Sequence, residues 1–466
     1  MKKYIAILVV LFVAGYLASQ VQSSWGKVRV QSIKIPTENG QWLVADLFKP
    51  YSASKSNPSP VIIVIPGFQR SKETLSNIAI ELSRRGIVTI AIDPYAQGLS
   101  SASFSKKAAT KEGYGMFALV NYLYDTPNLN YIDKNKIGVT GHSAGGLAAI
   151  RGAQYFGKIA KKNNAKSKLH SVFVSGMLRM GFKEKDLKKI QSNVGVSYAL
   201  YDEGAWQNEL KHGGLKHAPE ILRLINIQND LKNNINTAEM GKYYGSIKNN
   251  SAVIIFNEKL LHPFQPYAQE AIANQVNYFL DVFQMSNSIS GENQIWFWKE
   301  LLTFVCLVCG LILIIPFTKI LLGLPYFQEL RNPVPQSLPT PKGKGLVLFW
   351  GIFLISIIIA CFSFIPLSEA TKSLFTDAAT RKQTWFFPQR MNNTIMLWAT
   401  LNGTIGLILF YLSYTFFGKN NGVSKHMLGL SISCIRISKT ILLAISIAFS
   451  YFILLFFIYY LFHIDY

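Results

Sequence analysis

The feature that most constrains this 466-residue chain is a serine between glycines at a predicted junction of strand and helix. Residues 137–140 form a short, mostly β-branched run into Gly141, Ser143 follows, and helix-forming Leu and Ala continue after Gly146. In a Gly-x-Ser-x-Gly turn of this kind, the serine Oγ stands at the tip of a sharp bend, where a Cβ at the flanking positions would clash. The pattern therefore predicts that Ser143 is a nucleophile.

The helix after this serine also provides a site for developing negative charge. Amides in the first turn of a helix have no partner within the helix, and they point towards a substrate bound at its N-terminus. We therefore expect the amide of Ala144, directly after Ser143, to face an oxyanion.

Composition divides the chain near residue 295. Half of its residues are hydrophobic and its mean hydropathy is +0.21, which is too apolar for one ordinary soluble domain of this length. Up to that point apolar and charged residues are mixed, as in a globular domain. We place this domain at residues 28–285. A polar linker is predicted at 286–298. The membrane domain at 299–466 has four stretches of spanning length, roughly 301–322, 345–366, 394–417 and 440–463.

The N-terminus carries an export signal. An apolar run at residues 4–18 follows Lys2 and Lys3, so that residues 1–22 form either a signal peptide or an uncleaved anchor. Either form exports the globular domain. We therefore predict a multi-pass protein of the cell membrane, in contact with membrane lipids, with its globular domain on the extracytoplasmic side.

The net charge of +22 does not indicate nucleic-acid binding. Lysines are scattered over the globular part, and an exported, tethered domain would meet anionic lipid or wall polymer instead of DNA. We expect no nucleic-acid partner.

Neither cysteine nor histidine spacing predicts a metal or cofactor. All four cysteines lie in or near the apolar C-terminal part, and Cys306 and Cys309 are expected to be small apolar side chains on one helical face. His212 and His217 have no obvious third ligand nearby and are expected to be exposed loop residues.

The globular part alternates between predicted strands and helices, which favours a mostly parallel sheet. An Asn-Gly turn predicts an initial hairpin. The further predicted strands are 61–65, 87–92, 136–140, 171–175, 221–227 and 252–256, the predicted helices are 74–85, 112–124, 237–244 and 270–283, and an irregular insertion is expected at about 177–219.

This order of elements, with Gly141-His142-Ser143-Ala144-Gly145, Pro66-Gly67-Phe68 and the loop at 93–100, resembles the α/β-hydrolases. More narrowly, it is similar to the dienelactone-hydrolase and acetyl-esterase-like branch. The resemblance covers about residues 28–283. It implies an α/β fold, a mostly parallel sheet flanked by helices, to which the chain adds a C-terminal bundle of about four transmembrane helices.

The resemblance also implies a triad in the chain order Ser, acid, His. His262 follows the last predicted strand, where the family places its base. Asp230 follows the predicted penultimate strand, where the family places the acid, while Asp202 and Glu203 in the insertion are alternatives. The second oxyanion donor would be the amide of Phe68, with Gln69 as the neighbouring alternative, because Pro66-Gly67 replaces the His-Gly common in that loop.

These observations predict a membrane-anchored serine hydrolase that cleaves a small-molecule or lipid carboxylic ester through an acyl-enzyme. An acyltransferase or a peptidase would use the same triad. A non-catalytic ligand-binding or transport protein is an alternative of a different class, although the spans contain few of the ionisable residues that line transport paths. The sequence specifies neither the acyl and alcohol groups nor the oligomeric state.

Overall fold

The computed structural model of the chain describes residues 2–37, 40–103, 111–230, 234–285, 289–332, 337–379, 390–428 and 433–466. It divides into two compact units. One consists mainly of residues 16–302, and the other combines the first fifteen residues with those from 303 onwards. Each unit is described by itself.

The unit of residues 16–302 is built on an eight-stranded sheet in the order β1-β2-β4-β3-β5-β6-β7-β8. β2 is antiparallel to both β1 and β4, and all the other neighbours are parallel. This mostly parallel sheet confirms the predicted α/β-hydrolase fold class. The strands are β1 (Val28–Pro36), β2 (Trp42–Pro50), β3 (Ser59–Ile65), β4 (Val88–Ile92), β5 (Ile132–His142), β6 (Ser171–Ser175), β7 (Asn193–Ser197) and β8 (Val253–Phe256).

Helices cover both faces of the sheet. The helices of this unit and of the N-terminal segment are α1 (Lys2–Gln22), α2 (Ser76–Ser83), α3 (Met116–Asp125), α4 (Ala144–Lys162), α5 (Glu184–Leu187), α6 (Pro219–Asn229) and α7 (Gln269–Val282). Apolar side chains of α3, α4 and α6 form one core, and those of α2 and α7 form the other. β3 and β4 are consequently buried along their whole length, which explains why their sequences are continuous apolar runs.

The N-terminal hairpin is present as predicted. β1 and β2 pair over their whole length, with Ile35 opposite Leu43. Of the predicted turn, Glu38 and Asn39 lie outside the described residues.

Two predicted elements differ in the structure. Residues 221–227 belong to helix α6 and not to a strand. Residues 237–244 are not a helix but an irregular segment with a turn at 240–241 and a β-bridge from Tyr244 to Val253. The strand next to β8 is β7, which lies within the predicted irregular insertion. α6 begins with Pro219 in its first turn, and it buries Ile221, Leu224 and Ile225 at helical spacing.

The segment before the C-terminal region is bound to α2. The guanidinium of Arg85 donates to the carbonyl oxygens of Ile289 (2.7 Å) and Asn293 (2.7 Å). The Glu81 carboxylate accepts the N–H of Ile295 at 2.7 Å. Glu81 and Arg85 also pair with each other at 2.7 Å, and both side chains are fully buried. The predicted linker is therefore held by specific contacts where it enters the next helix.

The C-terminal region consists mainly of long apolar helices, which are α8 (Trp296–Leu321), α9 (Lys344–Leu374), α10 (Thr376–Ala379), α11 (Arg390–Ser413) and α12 (Cys434–Phe462). Within the described ranges, five helical segments are long and apolar enough to cross a membrane. One is near the N-terminus, Tyr4–Gln22, and the others are Trp296–Leu321, Lys344–Leu374, Met391–Asn421 and Cys434–Phe462. The four predicted C-terminal spans coincide with the last four.

Candidate active site

Ser143 lies at the apex of a strained turn between β5, which ends at His142, and α4, which begins at Ala144. Its backbone has φ +58° and ψ −117°, a region that non-glycine residues occupy only when the surrounding structure holds them there. The Ser143 N–H donates to the carbonyl of Ser175 on the neighbouring strand at 2.8 Å. The Ser143 side chain is half-buried, so it is accessible at the carboxyl edge of the sheet.

The flanking glycines are required by close backbone contacts. A Cβ on Gly145 would lie 2.1 Å from the carbonyl oxygen of Ile65 in β3, and one on Gly141 would lie 2.5 Å from the carbonyl carbon of Gly145. Because backbone atoms cannot move aside cheaply, neither position accepts a side chain. The glycines thus allow β5, α4 and the end of β3 to meet directly beneath Ser143.

His262 and Asp202 form a hydrogen-bonded pair on the loops that follow the last two strands. Nδ1 of His262 lies 2.7 Å from Oδ2 of Asp202, and Asp202 is buried. The other carboxylate oxygen, Oδ1, accepts the N–H of Gly204 at 2.7 Å. Both oxygens of Asp202 are therefore engaged, which fixes the carboxylate and, through it, the imidazole ring.

The environment of His262 favours its protonated form. Burial lowers the pKa of His262, but the hydrogen bond to Asp202 and the negative charges of Asp202 and Glu203 outweigh burial, so the pKa is raised above 6.5. With Nδ1 bound to Asp202, Nε2 is the ring nitrogen that remains to exchange a proton with a substrate or a nucleophile.

The prediction of Asp230 as the partner of His262 requires a correction. Asp230 ends helix α6 in the left-handed conformation (φ +46°), and it lines a cleft together with Lys161, Lys188 and Arg223. The penultimate strand of the sheet is β7, and the carboxylate that contacts His262 is Asp202, on the loop after it.

Sequence reasoning missed β7 because its centre is a glycine. A Cβ on Gly195 would lie 2.4 Å from the ring of Phe173, and the ring of Tyr278 is also close. The strand therefore has only Val194 and Val196 as apolar side chains. The signal that was available is this Val-Gly-Val core, followed a few residues later by the acidic pair of Asp202 and Glu203.

His142, between Gly141 and Ser143, packs against His262 and so joins the turn at Ser143 to the loop after β8. Its ring centroid lies 4.5 Å from that of His262. Burial, and then the charge of His262, lower the pKa of His142 to about 3, so that this ring is neutral at neutral pH. Among the described residues, Nε2 of His142 has no hydrogen-bond partner, and Ser143 Oγ makes no hydrogen bond to His262. Catalytic hydrogen bonds are often long before substrate binds.

The loop after β3 lies against Ser143. A Cβ on Gly67 would lie 3.5 Å from Cβ of Ser143 and 3.5 Å from the carbonyl oxygen of His142. The amide of Gln69 donates to Oε1 of Gln97, which removes Gln69 as an oxyanion donor in this conformation. The Phe68 amide, which the resemblance implies, stays a prediction, together with the Ala144 amide at the start of α4.

Asp93 ties this loop to the one after β4. Its Oδ1 accepts the Lys72 N–H at 2.8 Å, and its Oδ2 accepts the Leu99 N–H at 2.9 Å. Asp93 is buried, and burial raises the pKa of its carboxyl group. The role of Asp93 is therefore to hold these loops in place.

The described residues include no group of three or more His, Cys, Asp or Glu side chains arranged for a metal ion. Nδ1 of His212 accepts the Gly214 N–H at 3.1 Å, and Nδ1 of His217 lies 3.3 Å from the carbonyl oxygen of Asn236. Cys306 and Cys309 lie in α8.

The structure resembles solved hydrolases over its first part. An esterase of Pyrococcus furiosus matches with a TM-score of 0.38 and 15% identity, over 55% of this chain and 92% of that one. An esterase of Pyrobaculum calidifontis matches with a TM-score of 0.36 and 16% identity, over 59% and 92%. A Klebsiella pneumoniae protein assigned to the dienelactone hydrolases matches with a TM-score of 0.36 and 13% identity, over 55% and 98%.

No known family matches the sequence, and no curated protein matches it. At these identities and TM-scores the structural matches carry no information on the reaction. The geometry of the site itself is the basis for assigning one.

Proposed function

We propose that this chain is a membrane-anchored serine hydrolase that cleaves carboxylic esters through an acyl-enzyme, with Ser143, His262 and Asp202 as its triad. The observation that carries the proposal is the 2.7 Å pair of His262 and Asp202, on loops at the same sheet edge as the strained turn of Ser143. A reactive serine needs a base, and the base needs an acid to orient it.

In the first half-reaction, Ser143 Oγ attacks the ester carbonyl carbon while Nε2 of His262 takes the hydroxyl proton. Asp202 holds Nδ1–H and stabilises the imidazolium. The amides of Ala144 and Phe68 donate to the oxyanion of the tetrahedral intermediate. When the intermediate collapses, His262 gives the proton to the leaving alcohol, and the acyl group stays on Ser143.

In the second half-reaction, water attacks the acyl carbon of the acyl-enzyme while His262 takes a proton from the water. When this second tetrahedral intermediate collapses, the bond to Ser143 Oγ breaks, His262 returns the proton to Oγ, and the carboxylic acid leaves. The same machinery carries an acyl group to another acceptor if that acceptor replaces water, so hydrolysis is proposed as the simplest outcome. The neutral state of His142 suits this chemistry, because a second charged imidazole beside His262 would oppose proton transfer to it.

Labelling with a fluorophosphonate tests the proposal. The full-length protein, purified in detergent, should be labelled, and Ser143→Ala should abolish labelling. Asp202→Asn should slow it by about a thousandfold or more, because the imidazole loses its orienting carboxylate. Asp230→Asn, the matched control, should label at the wild-type rate.

Two results would contradict the proposal. One is a folded wild-type protein that stays unlabelled, which would favour the ligand-binding alternative. The other is a reversal of the two aspartate variants, with Asp230→Asn slow and Asp202→Asn normal, which would return the acid to Asp230.

A further inference from the structure

Six large apolar side chains stand exposed around the candidate active site. Their exposed fractions run from 45% for Leu261 to 71% for Leu99. They come from the loops after β4, β6, β7 and β8, whose carboxyl ends lie at one edge of the sheet. We call this set the apolar rim: Leu99, Met180, Tyr201, Trp206, Leu261 and Phe264.

The apolar rim is next to the catalytic groups. Tyr201 directly precedes Asp202, Leu261 directly precedes His262, and Phe264 lies on the short 3₁₀-helix that begins at His262. Large exposed apolar side chains so close to a reactive centre are expected where the ligand itself is apolar.

Direct contacts join the loops that carry the rim. The Tyr201 N–H donates to the carbonyl of Leu260 at 3.0 Å, which links the loops after β7 and β8. Nη1 of Arg179 donates to Oε1 of Gln207 at 3.2 Å, which links the loops after β6 and β7. These two hydrogen bonds therefore connect the three loops that carry the rim residues from Met180 to Phe264. Leu99 lies on the loop that Gln97 joins to Gln69, beside Ser143.

Cationic side chains are interleaved with the rim. Arg179 and Lys259 are exposed on the loops after β6 and β8, and Arg70 is exposed on the loop after β3. The negative charge on these loops comes from the exposed carboxylate of Glu203. The Glu209 carboxylate is paired with Arg223. Apolar and aromatic side chains mixed with Lys and Arg are typical of surfaces that lie in the interface of an anionic bilayer.

The chain itself keeps this domain close to lipid. Residues 28–285 are flanked by Tyr4–Gln22 and by Trp296–Leu321, both long and apolar enough to cross a membrane. A domain tethered on both sides meets a lipid surface at high effective concentration.

We propose that the apolar rim is a lipid-contact surface, and that the ester cleaved at Ser143 is carried by an anionic bilayer. This inference rests on the proposed function, because it names the substrate class of the same site. The rim residues enter the interface between headgroups and acyl chains, the cations face lipid phosphates, and the scissile ester reaches Ser143 without passing through water.

The test uses the full-length protein in vesicles of equal parts phosphatidylglycerol and phosphatidylcholine. Two substrates are compared: water-soluble p-nitrophenyl acetate, and a fluorogenic long-chain ester placed in the bilayer. The rim variant is Leu99→Ser/Met180→Ser/Trp206→Ser. The matched control is Ile159→Ser/Met240→Ser/Ile289→Ser, which removes three exposed apolar side chains outside the rim.

We expect the rim variant to hydrolyse the soluble ester within about twofold of wild type and the bilayer ester about tenfold more slowly, because interfacial binding scales with buried apolar area. The control should keep both rates. Arg179→Glu/Lys259→Glu should slow only the bilayer reaction, and only in vesicles that contain phosphatidylglycerol.

Failure of the lipid-contact surface and failure of the proposed function would give different results. Unchanged hydrolysis of the bilayer ester by both rim and charge variants, with normal hydrolysis of the soluble ester, would overturn the lipid-contact surface and leave the hydrolase intact. An equal loss on both substrates would overturn it in favour of a structural role. A change in oligomeric state of the rim variant in detergent would assign the surface to a second copy. A wild-type protein inactive on both substrates would remove the proposed function itself.

Discussion

Single backbone positions determine the geometry around Ser143. The left-handed φ of Ser143 costs about 1–3 kcal/mol, and it is maintained because the glycines let β3, β5 and α4 approach within contact distance. The Ser143 N–H is also bound to Ser175. The serine is therefore presented by backbone packing, so a substitution that keeps the fold will not move it far.

The raised pKa of His262 leads to a prediction, at the scale of single residues, about how activity depends on pH. Proton transfer from Ser143 needs neutral His262, so kcat/KM should fall as the pH drops through the raised pKa, with its acid limb above pH 6.5. In Asp202→Asn the interactions that raise the pKa are weakened and burial remains, so the limb should move to lower pH. Rates measured across the acid range on a soluble ester check this. Asp230→Asn is the control, and an unshifted limb in Asp202→Asn would contradict the pairing.

At the scale of elements, the sequence predicted best where a strand is buried on both faces. The apolar runs of β3 and β4 lie where they were expected, and so does the turn at Ser143. His262 follows β8, the last strand, as expected, because its position depended on that strand alone. Asp202, which contacts His262, was only an alternative to Asp230, since α6 presents Ile221, Leu224 and Ile225 in a short run that resembles a strand, while β7 has Gly195 at its centre. Which strand pairs with β8 depends on tertiary contacts that a local pattern does not contain.

The buried pair of Glu81 and Arg85 leads to a prediction about stability. Glu81→Gln removes the negatively charged partner of the fully buried Arg85 guanidinium. It also weakens the hydrogen bond from Ile295 N–H that holds the segment leading into α8. We expect a loss of about 3 kcal/mol in the free energy of unfolding of the domain, measured by thermal or denaturant unfolding in detergent. The matched control is Glu184→Gln, which disrupts an exposed pair with Lys188 and should leave the midpoint unchanged. Equal midpoints for the two variants would contradict the anchoring role.

At the scale of the whole molecule, the five apolar helices, with the globular domain between the first and second of them, lead to a prediction about the side of the membrane on which the domain lies. If the N-terminal lysines stay inside, the domain lies outside, and the loop between α8 and α9 lies inside. The positive charges of Lys342 on that loop and of Lys344 at the first position of α9 agree with this arrangement.

This orientation can be measured with single cysteines, because the native cysteines all lie beyond residue 305. In a protein whose four cysteines are replaced by alanine, Ser56→Cys in an exposed loop of the domain should react with a membrane-impermeant maleimide on intact cells. Lys342→Cys should react only after permeabilisation. The reverse pattern would place the domain in the cytoplasm.

The strand β8 is short and lies at the edge of the sheet, where β7 pairs with it along one side. On its other side, backbone hydrogen bonds join Val253 to Tyr244 and Ile255 to Gly241. Ser143 stands near the middle of the sheet, whereas His262 follows this edge strand. Opening of this edge would therefore displace His262, the base in the proposed mechanism, while Ser143 stays in place. Loss of activity on warming is then governed by the local opening free energy of one four-residue strand, so that inactivation precedes melting of the domain.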